Sequence, residues 1–241
     1  MSAKKFSIDP AVFALLPGLQ IAVVVARGVD NSGTLDLSAQ FAEQEQRLLD
    51  EFDLVDLLSS PVIRAWRDVY KRFGERRNRC SVEALIRRTL KGNLPPSINP
   101  LVDLYNLLSL TYELPYGGEN LDVLNEDIVL LRAEGDEEFI PLGADEEDEV
   151  EHPRPGEVTY CSGKTVLCGS FNYRESDFTK IEPDTHNVIL FIENVPETGI
   201  SPERHQEAAD ALAAGIETYG LGGRTRVVML SESNPAVELF V

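Results

Sequence analysis

Apolar positions along the chain follow a helical period in much of its first half and a strand-like one in its second. LQIAVVVARG (19–28) is a β-branched run closed by glycine and predicts a buried strand. LSAQFAEQEQRLLDEF (37–52) then sets Phe41, Leu48, Leu49 and Phe52 among polar residues at helical spacing. Ser60 before Pro61 predicts the start of a helix over PVIRAWRDVYKRF, and Ser81 is placed to cap a second, VEALIRRTLK, that ends at Gly92. Asn99 and Pro100 open a third helix, which Pro115 with Gly117 and Gly118 should end.

Beyond that point the period shortens. DIVLLRAEGDEEFIPL (127–142) predicts a hairpin turning at Glu134, Gly135 and Asp136, and GEVTYCSGKTVLCG (156–169) a second turning near Ser162 and Gly163. NVILFIENV reads as a buried strand. Ser201 and Pro202 begin a helix that stops at Gly220, and TRVVML supplies a last strand. No βαβ rhythm and no internal repeat is present, so the order predicts an α+β fold. We read 1–241 as a single domain, with 1–97 mainly helical and 98–241 strand-rich.

One helix breaks its own pattern. In LVDLYNLLSL, Asp103, Asn106 and Ser109 repeat every three residues among leucines, which draws a slanting polar stripe that either faces water or lines a polar cavity.

Charge adds a second asymmetry. The net charge of −19 opposes nonspecific binding to polyanions, yet Arg64, Arg67, Lys71, Arg72, Arg76, Arg77, Arg79, Arg87, Arg88 and Lys91 crowd one stretch opposed only by Asp68, Glu75 and Glu83. Such cations ordinarily form a solvated helix face. Their density on an acidic chain also makes them candidate RNA-binding residues. The run 134–151 carries ten acidic side chains and no basic one, which is the usual composition of a solvated loop, and 143–156 is the expected mobile segment.

Several chemistries are excluded. SGKT (162–165) lacks the spacing and the following helix of a phosphate loop, and GLGGR (220–224) is a helix stop. The three histidines, His152, His186 and His205, and three cysteines, Cys80, Cys161 and Cys168, show no metal-ligand spacing, so neither a metal nor a cofactor is expected. No GxSxG elbow marks a hydrolase. MSAKKFSIDP lacks the apolar core of a signal peptide, and no run is long enough to span a membrane, so the expected compartment is cytoplasmic.

VDLYN (102–106) followed by ELPYGGENLD (113–122) resembles the VDxTNxxxxxxGQPxHAFD signature of the B3/B4 domain of the phenylalanyl-tRNA synthetase beta subunit. TVLCG (165–169) and DTHNVIL (184–190) resemble that family's GVMGG turn and the strand entry behind it, and stand-alone versions of the domain are a known group. The resemblance covers about 98–195. It implies a mixed or antiparallel sheet core flanked by helices, and a site that binds near the tRNA acceptor end and hydrolyses mischarged tyrosyl-tRNA.

Carried over residue by residue, the resemblance puts Asp103, Tyr105, Asn106, Gly117, Cys168, Gly169, Glu175 and Thr185 at the pocket. Asp103 and Asn106 match the family's Asp and Asn. Tyr105 replaces its threonine, Leu114 its glutamine, Gly117 its histidine and Cys168 the first glycine of its pair. Glu175, Asp177, Glu182 and Asp184 all stand where the family's acidic residue could fall. The expected partner is tRNA or aminoacyl-tRNA. If the chain is an enzyme, the resemblance implies an aminoacyl-tRNA deacylase with no catalytic residue marked; the alternative is a noncatalytic small-ligand or protein interaction module that kept the cavity.

Overall fold

The computed structural model describes residues 5–52, 54, 56–145 and 150–239. Its first elements are strand β1 (Lys5–Ile8), helix α1 (Pro10–Leu15) and strand β2 (Gln20–Arg27), followed by helices α2 (Ser38–Glu51), α3 (Pro61–Arg72), α4 (Ser81–Thr89) and α5 (Pro100–Tyr112). Strands β3 (Tyr116–Asn120), β4 (Ile128–Arg132), β5 (Val158–Ser162), β6 (Thr165–Gly169), β7 (Arg174–Glu175) and β8 (Asn187–Asn194) come next. Helix α6 (Pro202–Thr218) and strands β9 (Arg224–Leu230) and β10 (Ala236–Glu238) complete the chain. The architecture is α+β.

The strands form two sheets, in the orders β10-β1-β4-β5-β6-β7 and β3-β8-β2-β9. The first is mixed, because β1 runs parallel to β4 and every other pairing is antiparallel; the second is antiparallel throughout. Phe6 and Tyr160 of the first sheet meet Phe191 of the second with ring centroids 4.9 and 4.6 Å apart, so the sheets share one aromatic core. The opposite face of the smaller sheet is covered by α5 and α6, whose apolar residues Leu104 and Leu212 join Val24, Leu190 and Ile192 in a second core. Gly215 makes that helix crossing close: a Cβ there would stand 3.0 Å from Leu104 Cδ2.

Several local expectations change. The segment 127–142 is not a hairpin, because β4 pairs with β5 on one side and β1 on the other, and 138–141 only bridges to 151, 165 and 176. Matching apolar alternation identifies strands without naming their partners. Cys80, not Ser81, occupies the cap position of α4, and neither it nor Ser60 of α3 makes a side-chain cap bond. Gly117 and Gly118 belong to β3; α5 ends instead at Glu113, in the left-handed conformation with φ 57°. Part of the acidic run, 146–149, lies outside the described residues. Glu151 beyond it pairs with Phe139 and Arg174, and Glu137 before it is buried, accepting the Glu134 and Gly135 amides in the turn.

Candidate functional site

β3 and β7 are edge strands of different sheets, and their edges converge beside α5. A cavity of about 250 Å³ opens at that junction, lined by Val102 and Tyr105 of α5, Gly118 of β3, Glu175 of β7, and Lys180 and Ile181 from the connection to β8. Gly118 is required by the packing. A Cβ at that position would lie 2.4 Å from Leu190 Cδ2 and 3.2 Å from Ile181 Cδ1. Asn99 caps α5 by accepting the Val102 amide and donates its own amide to the Ile181 carbonyl, which ties the two walls together.

Half-buried Glu175 lines the cavity and Glu119 and Glu193 are buried behind it, and none of the three meets a salt-bridge cation among the described residues. Glu175 faces Gly117, whose Cβ would stand 3.1 Å from its Oε1, and pairs across the ladder with Cys168. Burial pushes the Glu175 pKa up to about 8, with the nearby Glu193 charge adding to it and the Cys168 thiol opposing it. Glu193 is raised to about 7 by burial, against hydrogen bonding from Tyr160, whose hydroxyl donates at 2.8 Å. Glu119 is held well above the carboxylate range by burial and then by Glu175, with the Thr179 hydroxyl opposing. Each keeps its proton to higher pH than an exposed carboxyl does, because no adjacent positive charge offsets the loss of water. Glu175 can therefore donate a hydrogen bond into the cavity.

Among the described residues no activated nucleophile stands beside it. Burial holds the Cys168 thiol and the Tyr105 hydroxyl far above neutrality, so both keep their protons.

The residues expected at the pocket separate into three groups. Tyr105 and Glu175 line the cavity, and Gly117 and Cys168 pack directly behind Glu175. Asn106 is half-buried on α5, does not line the cavity, and makes no hydrogen bond among the described residues. Asp103, Gly169 and Thr185 are engaged elsewhere. The buried Asp103 carboxylate accepts from Ser97 Oγ at 2.6 Å and the Ile98 amide at 2.8 Å, Thr185 Oγ1 accepts the Glu182 amide, and Gly169 lies under Phe139. The third member of the polar stripe, Ser109, donates to the Leu114 carbonyl. Two of the stripe's three side chains thus fasten the segments entering and leaving the helix, a role that periodicity alone does not distinguish from solvent exposure.

Sequence reasoning missed Glu119 and Glu193. The available signal was a glutamate at an inward position of an apolar strand, as in NVILFIENV, where burial without an adjacent cation raises the pKa. The histidines take structural roles: His205, buried, contacts the Ile192 carbonyl at 2.8 Å, and His152 and His186 also contact main-chain carbonyls. No metal-holding cluster occurs among the described residues.

The basic residues do not form one free patch. Arg67 grips the fully buried Glu83 through two bonds of 3.0 and 2.5 Å, Arg87 adds a third of 2.7 Å, and Arg79 approaches to 3.8 Å. Lys71 pairs with Asp68, Arg72 with Glu197, and Arg64 donates to the Ser59 carbonyl. Arg76 and Arg77 are exposed and form no ion pair among the described residues. A shallow pocket of about 420 Å³ on α4 gathers Arg79, Arg87, Arg88 and Lys91.

A B3/4 domain family model matches residues 65–220, well over half of the chain and every residue that lines the cavity. The chain belongs to the B3/4 domain family. A solved N-terminal fragment of the phenylalanyl-tRNA synthetase beta subunit from Pyrococcus horikoshii is similar at 14% identity with a TM-score of 0.46. The alignment covers 96% of this chain and 55% of that one, so this B3/4 protein spans little more than half of the fragment. No match is found among curated proteins. No helix among the described residues of this B3/4 protein is long and apolar enough to cross a membrane.

Proposed function

We propose that this B3/4 protein binds tRNA, with the α3–α4 cations taking the phosphate backbone and the α5–β3–β7 cavity taking the aminoacyl end. The observation that supports it most is the connection between the two surfaces. Residues 91–98 run from the cationic pocket to the cavity wall, no more than about 25 Å at full extension, a span that a single-stranded acceptor end covers. Asp103 and Asn99 fix the cavity end of that connection.

Inside the cavity the chemistry supports recognition ahead of hydrolysis. Gly117 stands where the resembling family carries histidine, and the one lining carboxyl set against the buried cluster, Glu175, is mostly protonated at pH 7. As pH approaches 8 Glu175 becomes a base, so any ester hydrolysis it assists rises through that range. Tyr105 fills space where the family's smaller threonine would stand, which favours a small aminoacyl side chain.

The test is a titration of labelled tRNA at 25 to 200 mM salt, together with deacylation of tRNAs mischarged with different amino acids. Binding should weaken steeply with salt, and any deacylation should disappear in Glu175→Gln. Absence of tRNA affinity at 25 mM salt removes this reading. A noncatalytic ligand module is the second reading, favoured over hydrolysis by Gly117 at the family's histidine position, and would be supported by salt-independent binding of a small neutral ligand that Tyr105→Ala alters.

A further inference from the structure

We propose that the α4 pocket formed by Arg79, Arg87, Arg88 and Lys91 is a dedicated phosphate site, with Arg87 held in place by the buried Glu83. This rests on the tRNA reading and narrows it from ten cations to four. The others are largely committed: Arg64, Arg67, Lys71 and Arg72 each meet an acceptor outside the pocket or beneath it.

The pocket sits at the C-terminal end of α4. Ala84, Arg87 and Arg88 fall at intervals of three and one and share a side of the helix, the small Ala84 leaves a floor between the long cations, and Arg79 before the helix and Lys91 in the turn after it complete the lining. Asn93 closes the far end, and no acidic residue among the described residues lines the surface. Glu83 lies below it, fully buried, and engages Arg87 through Nε. Contact through Nε fixes the plane of a guanidinium and leaves its Nη donors free to meet an incoming oxyanion. Arg88 is held the same way, its Nε donating to the Leu94 carbonyl at 3.3 Å. The Lys91 amine has no acceptor among the described residues.

One carboxylate against three arginines leaves the cluster net positive, and Arg88 and Lys91 add to it. The helix C-terminus attracts these cations as well, which helps to keep them there but contributes only about half a unit of opposing charge. A phosphate group, with three or more acceptor oxygens, matches a pocket whose charged groups are all donors.

The experiment compares two double variants of equal charge change in the full-length chain: Arg88→Gln with Lys91→Gln inside the pocket, and Arg76→Gln with Arg77→Gln on the exposed loop beside it. Labelled unfractionated tRNA is titrated across 25 to 200 mM salt. The pocket variant should lose at least tenfold in affinity at 50 mM and flatten the log–log salt slope by about two, while the loop variant changes affinity less than threefold. Equal losses in both variants, or none in the pocket variant, overturn the proposal and leave general tRNA binding intact. If the wild-type chain binds no tRNA, thermal shift with 10 mM inorganic pyrophosphate decides the pocket separately. Stabilisation of the wild type that the pocket variant lacks keeps the phosphate site without RNA, and no stabilisation removes it.

Discussion

Replacing Glu193 by glutamine should make this protein more stable at pH 8 and leave it nearly unchanged at pH 5. Glu193 is 2% exposed and accepts a bond from Tyr160 on one oxygen, while its other oxygen meets no hydrogen-bond donor within bonding geometry among the described residues. Its pKa rises from 4.5 to about 7 on folding, so between those values the native state holds a proton that the unfolded chain has released. Stability from this group is therefore full below about pH 4.5, falls as pH rises, and levels off above 7. A shift of about 2.5 units corresponds to about 3 kcal/mol at roughly 1.4 kcal/mol per unit. Glutamine carries no titrating proton and keeps an acceptor for Tyr160, so the variant should escape that loss. The assay is urea unfolding of both proteins at pH 5, 6, 7 and 8. Taking the difference between them cancels the general repulsion of a chain with net charge −19. The expected difference grows from within about 1 kcal/mol at pH 5 to about 3 kcal/mol at pH 8. A difference that stays flat with pH, or a variant less stable at pH 8, would refute the buried-charge argument.

Other outcomes follow from the same geometry. Asp103→Ala should lose about 2 to 3 kcal/mol in urea unfolding, because the Ser97 hydroxyl and Ile98 amide lose their acceptor; an unchanged midpoint would mean that these bonds do not hold the connection. Gly118→Ala should cost about 1 to 3 kcal/mol by overpacking, read as a lowered melting temperature; an unchanged value would mean that Leu190 yields freely. Native protein at pH 8 should react slowly with a thiol reagent and titrate three cysteines only in urea, since all three are buried and Cys161 is pushed up to about 12 by burial. Rapid reaction of any one thiol in native buffer would contradict the burial of that cysteine.

The polar stripe of α5 shows where sequence reading stops. Period and caps placed the helix: Asn99 and Pro100 start it, and the leucines bury it. The destination of Asp103 was not legible, because its partners Ser97 and Ile98 are reached only when the preceding connection folds back. Gly117 and Gly118 were read as a helix stop for a similar reason. Glycine suits a turn and a close approach equally, and only the Leu190 side chain on the neighbouring strand distinguishes them.

The amino-acid sequence by itself determined the long helices, the β2, β8 and β9 strands and the β5–β6 hairpin, because these depend on local period and caps. Its motif blocks also pointed to the B3/B4 family. Strand partnership was decided by the tertiary structure, which took β4 away from its sequence neighbour and set it between β1 and β5. The proton state of Glu119, Glu175 and Glu193 was decided there too, since a carboxyl's pKa depends on the water and charges around it, and chains far apart in sequence supply both. So was the division of the basic run. Of ten cations close in sequence, the tertiary structure gathered four around one pocket and turned Arg67 and Arg87 onto the buried Glu83.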